Sequence, residues 1–69
     1  MTHNAIFEAF IATLPIFADA TVQWYPNGKN SIRAVLINRK QYVFTFMSDK
    51  DWCFETLDSH LKRMKKGVH

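Results

Sequence analysis

The stretch Ala20–Met47, ATVQWYPNGKNSIRAVLINRKQYVFTFM, decides the fold. Its apolar residues are broken twice by polar segments, YPNGKN and NRKQ. Before the first break, Ala20, Val22 and Trp24 fall on one side and Thr21, Gln23 and Tyr25 on the other, the period of two that a half-buried strand needs. Pro26, Asn27 and Gly28 then come in a row, residues that fix or permit the backbone angles of a tight reversal. IRAVLI (32–37) and YVFTFM (42–47) are β-branched and aromatic runs, which pack well on a pleated surface. Together they predict three antiparallel strands, at about 20–25, 31–37 and 42–47, joined as a meander. With a three-residue second turn, Val22, Trp24, Ala34, Leu36, Phe44 and Phe46 share one face, the core face. The other face then carries Tyr25, Arg33, Val35, Ile37, Val43 and Met47 and is rather apolar for a surface left to water.

Upstream, Ile6, Phe7, Phe10, Ile11 and Leu14 recur at three- and four-residue intervals and predict a helix at about 4–14. Thr2 or Asn4 can cap its start and Pro15 ends it. Downstream, Ser48 precedes Asp51 by three, a capping-box spacing with Asp in place of Glu, and predicts a helix at about 49–66 with Gly67 as its cap. The expected fold is α+β: a single small domain over 1–69 in the order α-β-β-β-α, with both helices packed on one face of a three-stranded antiparallel meander.

Composition narrows the function classes. The 69 residues are 48% hydrophobic and 14% aromatic with two Gly and two Pro, the make-up of a packed domain. A single cysteine, Cys53, permits no internal disulfide and no zinc site of paired thiolates, which points to a reducing, cytoplasmic setting. The N-terminus lacks the pattern of a signal peptide, and no apolar run approaches the roughly 20 residues of a membrane span.

Charge is distributed unevenly. The stretch 20–47 holds Lys29, Arg33, Arg39 and Lys40 and no acid, while 48–58 holds Asp49, Asp51, Glu55 and Asp58 against Lys50. The tail HLKRMKKGVH adds Lys62, Arg63, Lys65 and Lys66. In a three-stranded meander the last helix ends near the second turn. Those four cations would then approach Arg39 and Lys40 and form a basic pole of six. Acids at a helix start and bases at its end also complement the macrodipole, by roughly 0.3 to 1 kcal/mol each, but this does not account for Arg39 and Lys40.

The order of elements resembles the double-stranded RNA-binding domain, a resemblance that implies a grip through the first helix, the first hairpin loop and the start of the last helix. At those positions this chain has YPNGKN, with Lys29 and no histidine, and SDKDWCFE, with Asp49, Asp51 and Glu55. The family's lysine cluster is missing, so its function is not carried over.

Catalytic groups do not converge either. On one helix Cys53 and His60 would be about 10 Å apart along the axis, too far for a thiolate and imidazole pair. His60 has Thr56 and Met64 four residues to either side, which offers no paired metal ligand. Trp24 and Trp52 read as packing residues, and Tyr25 beside Arg33 is the one candidate for stacking. The sequence therefore predicts a non-enzymatic binding or regulatory accessory module with no cofactor, metal or small-molecule substrate. Its expected partner is a protein, or a second copy, met through Tyr25, Arg33, Val35, Ile37, Val43 and Met47. The alternative is nucleic-acid binding through Arg39, Lys40, Lys62, Arg63, Lys65 and Lys66.

Overall fold

The structure, a computed structural model, describes residues 2–66, with the backbone alone at 64–66. Gly67, expected as a helix cap, lies outside the described residues. The elements are α1 (His3–Thr13), α2 (Pro15–Asp19), β1 (Thr21–Pro26), β2 (Ser31–Leu36), β3 (Gln41–Ser48), β4 (Asp51–Thr56) and α3 (Leu57–Lys66). The four strands form one antiparallel sheet in the order β1-β2-β3-β4. The class is α+β, as expected from the sequence, with four strands where three were predicted.

Thr2 caps α1 by accepting a hydrogen bond from the Ala5 N–H at 3.1 Å. Pro15 breaks the helix as predicted, but it also opens a second one, since a proline at the first helical position loses no needed hydrogen bond. Ile6 and Phe10 of α1 are fully buried against Ile32, Ala34, Leu36, Phe44 and Phe46. Each such side chain contributes roughly 1.5 to 3 kcal/mol through the apolar area it removes from water. Phe7 stacks on Trp24 with ring centres 4.9 Å apart. The predicted core face is correct except at Val22, which is pushed out by a bulge between Thr21 and Gln23 and is 59% exposed.

The predicted long helix at 49–66 is a strand followed by a shorter helix. After the Asp49–Lys50 turn, β4 pairs back on β3, with Phe54 opposite Phe44 and Trp52 opposite Phe46. As a strand residue, Phe54 meets Phe10, Phe17 and Tyr42, its ring centre 4.8 to 5.8 Å from each of theirs. A cap at Ser48 is worth about 1 kcal/mol. Burying an aromatic ring is worth roughly twice that or more, so the long-range contact overrides the local signal. The cap is at Thr56 instead, whose Oγ1 accepts from the Ser59 N–H at 3.1 Å.

The two outer helical layers lie on opposite faces, contrary to the expectation of one shared face. Tyr25, Arg33, Val43 and Glu55 form one row across the sheet, away from α1. Glu55 bonds to His60 and Arg63 of α3, so α3 covers that face. Its cover explains why Val43, predicted as exposed, is 0% exposed while standing apart from the core around α1. Four strands are the cause. The fourth carries the chain back to the β2–β3 end, from which α3 crosses the free face.

Candidate functional site

The face under α3 is built from alternate residues: Gln23 and Tyr25 on β1, Ser31, Arg33 and Val35 on β2, Val43 and Thr45 on β3, Cys53 and Glu55 on β4. α3 packs on β3 and β4. One polar network ties it down. Glu55 Oε1 accepts from His60 Nδ1 at 2.9 Å and from Arg63 Nη2 at 2.7 Å. With Nδ1 donating, His60 Nε2 is left as the acceptor for Asn27 Nδ2, 3.5 Å away. Asn27 Nδ2 also reaches Ser31 Oγ at 3.3 Å, and the Ser31 hydroxyl donates to the Asn27 carbonyl. Arg63 Nη1 lies 3.7 Å from Cys53 Sγ.

A carboxylate orienting an imidazole is the start of a catalytic constellation, but His60 Nε2 meets an amide and no nucleophile. Among the described residues no three His, Cys, Asp or Glu side chains come together as a metal site would require. The network's clear effect is to clamp α3 across the β3–β4 half of the sheet.

Among the described residues the β1–β2 half is less covered, most of all at β1. Tyr25 is 40% exposed, and its hydroxyl donates to Gln23 Oε1 at 2.8 Å. The Arg33 guanidinium lies over the Tyr25 ring, its Cζ 5.1 Å from the centre. Arg33 Nε is buried without a hydrogen-bond partner, and no carboxylate among the described residues pairs with this arginine. Val35 is half-buried beside it. At 100° per residue, Leu61 falls on the flank of α3 opposite Arg63 and is 49% exposed.

Of the other residues expected on this face, Ile37 is in the β2–β3 turn and 75% exposed, its N–H bonded to the Ala20 carbonyl at 2.8 Å. Met47 lies in the bulge near the β3–β4 turn, 59% exposed, its sulfur accepting from Asn30 Nδ2 at 3.1 Å. Tyr25, Arg33 and Val35 thus share one surface, Ile37 and Met47 lie at its two ends, and Val43 is beneath α3.

The predicted basic pole is divided. Arg39 and Lys40 are in the β2–β3 turn, where Arg39 adopts a left-handed φ of 70°. They line an open cleft with Gln41, Tyr42, Thr56, Leu57 and Asp58. α3 begins there and heads for Asn27 and Cys53, so Lys62 and Arg63 lead away from that turn, with Arg63 held by Glu55. The side chains of Lys65 and Lys66 lie outside the described residues.

Several residues of the contact surface were not anticipated. Ala20 donates its N–H to the Ile16 carbonyl at 3.2 Å and accepts from the Ile37 N–H, and Val22 follows two residues on, so three exposed aliphatic residues, Ile16 (83% exposed) among them, gather at the start of β1. On the α1 face, Phe7, Ile11, Pro15, Ala18 and Asp19 line a shallow apolar cleft above the same edge. Period-two reading placed Val22 inside because a bulge leaves no mark in a short alternating run.

Compared with protein families, curated proteins and solved structures, the chain matches none. Among the described residues no helix is long and apolar enough to cross a membrane.

Proposed function

We propose that the chain is a small non-catalytic binding or regulatory module that acts through protein–protein contact, using the β1 side of the sheet. The observation that carries this reading is that α3 packs chiefly on β3 and β4, while on the β1–β2 half Tyr25 is 40% exposed beside the half-buried Arg33 and Val35. Tyrosine and arginine are enriched among residues that dominate binding energy. A tyrosine already held by Gln23 and Arg33 has little rotamer freedom left to lose on contact. Ile16, Val22 and Ile37 extend the surface around the strand's start and add apolar area. In this reading Tyr25, Arg33, Val35 and Ile37 are contact residues, Met47 lies at the margin, and Val43 is a packing residue.

The test immobilises the chain, exposes it to nuclease-treated and untreated extract, and compares it with Tyr25→Ala and Val22→Lys variants. Protein retention that survives nuclease and is lost in both variants is the expected result. Retention that depends on nucleic acid, or that persists in both variants and disappears with Lys62→Glu and Arg63→Glu, would overturn it in favour of a phosphate-binding role.

A further inference from the structure

We propose that β1 pairs edge to edge with β1 of a second copy of this chain, antiparallel about a dyad at Trp24, so that two four-stranded sheets become one of eight strands. This rests on the reading of the β1 side as the contact surface and names its occupant.

β1 and β4 are the two edge strands of the sheet, and β1 is the one that carries no charged residue. The Asn27 N–H bonds to the Ser31 carbonyl at 2.9 Å, which sets the alternation. Asn27, Tyr25 and Gln23 turn their backbone groups to β2, so Trp24 and Pro26 turn theirs outward. A second strand can pair only with the outward set. Placing Trp24 opposite Trp24 uses the N–H and the carbonyl of that residue in both copies. Sliding by two residues sets Trp24 opposite Pro26, which has no N–H to give.

Charge selects the same register. Antiparallel pairing centred on Trp24 brings the start of one β1 beside the β1–β2 turn of the other, and so sets Asp19 near Lys29 at both ends of the seam. Both residues are exposed, and neither has an ion-pair partner among the described residues of its own chain. β1 itself, TVQWYP, carries no charge that would repel a copy. The dyad stands perpendicular to the sheet. The apolar cleft of Phe7, Ile11 and Pro15 and the exposed Val22 therefore flank the seam in both copies, adding area that backbone bonds alone would lack.

The assembly closes at two. Pairing uses up β1, and the remaining edge, β4, opens with the exposed Asp51, so strand addition does not run on. Pro26 and the bulge at Val22 keep the new ladder short, which confines its affinity to what the flanking apolar and charged contacts supply.

The experiment is sedimentation equilibrium on the purified chain over about a hundredfold range of concentration, with hydrogen exchange followed at the Trp24 amide. The expected result is a monomer–dimer equilibrium and Trp24 exchange that slows as the dimer forms. Asp19→Lys and Lys29→Asp each weaken the dimer about tenfold, and the double swap restores it. A monomer at every concentration overturns the proposal. So does a dimer whose Trp24 exchange is independent of concentration, or one that the double swap fails to restore. A chain monomeric by itself that still retains another protein through Tyr25 and Val22 overturns the second copy and leaves the contact surface standing, so the two readings fail separately.

Discussion

The two edges of this sheet are finished in opposite ways. β4 has Asp51 and Glu55 along its length, α3 lies over its outer face, and Phe54 anchors it among Phe10, Phe17 and Tyr42. β1 has no charged residue. It carries an exposed Val22 and is bordered by an apolar cleft on one face, with the exposed Tyr25 and the half-buried Arg33 on the other. An unguarded edge offers a template to another strand, and proteins generally blunt such edges with charge or cover. This chain gives one edge strand a charged residue and packs α3 on the face of that half of the sheet. Having a single helix available for that face, it leaves the other to Pro26 and a bulge.

That contrast can be tested by substitutions on either side. The largest effect belongs to β4: Phe54→Ala should cost about 3 kcal/mol in chemical denaturation, while Val22→Ala on β1 should stay within about 0.5. Equal costs at the two positions would erase the asymmetry. Glu55→Ala strips His60 and Arg63 of their shared acceptor and should cost about 1 to 3 kcal/mol, with amide exchange accelerating through α3. Most of that loss comes from His60, since Arg63 is 56% exposed and screened by water. On the β1 side, Val22→Lys should reduce self-association at least tenfold in sedimentation and leave the denaturation midpoint nearly unmoved. A dimer that tolerates this lysine is held elsewhere.

Smaller effects refine the comparison. Thr56→Ala removes the side-chain cap of α3 and should lower stability by about 1 kcal/mol, read from the denaturation midpoint and the helical signal together. Arg33→Met should leave stability unchanged or raise it by up to about 1 kcal/mol, because it deletes a buried N–H that has no partner. The same change should weaken binding at the open half-face. A loss of several kcal/mol instead would mean that Arg33 holds the sheet together.

Much of the architecture could be read from local pattern. The α1 stripe, the first two hairpins and the core face of Ala34, Leu36, Phe44 and Phe46 follow from period and turn chemistry, because those signals are repeated within each element. β4 was misread where two local signals conflicted. Ser48 and Asp51 imitate a capping box, while Trp52, Cys53, Phe54 and Glu55 alternate as a strand does. In six residues neither pattern wins on its own. The candidate surface was partly legible: Tyr25, Arg33 and Val35 were placed on one face, but Val43 could not be judged without knowing what lay above it. The basic pole failed for a single reason, since one extra strand reverses the end of the sheet at which the last helix begins.

The sequence by itself determined the α+β class, the antiparallel pairing of the central strands and the identity of most core side chains, because these follow from periodicity, turn residues and apolar content over short spans. Tertiary structure alone decided that 51–56 is a strand, that α3 packs on the face of β3 and β4, and that β1 is left as the uncharged edge strand. Each of those outcomes depends on rings and polar groups far apart in the chain, such as Phe10 with Phe54 and Asn27 with His60. Their burial outweighs a local cap by one or two kcal/mol, and no short window of sequence contains both partners.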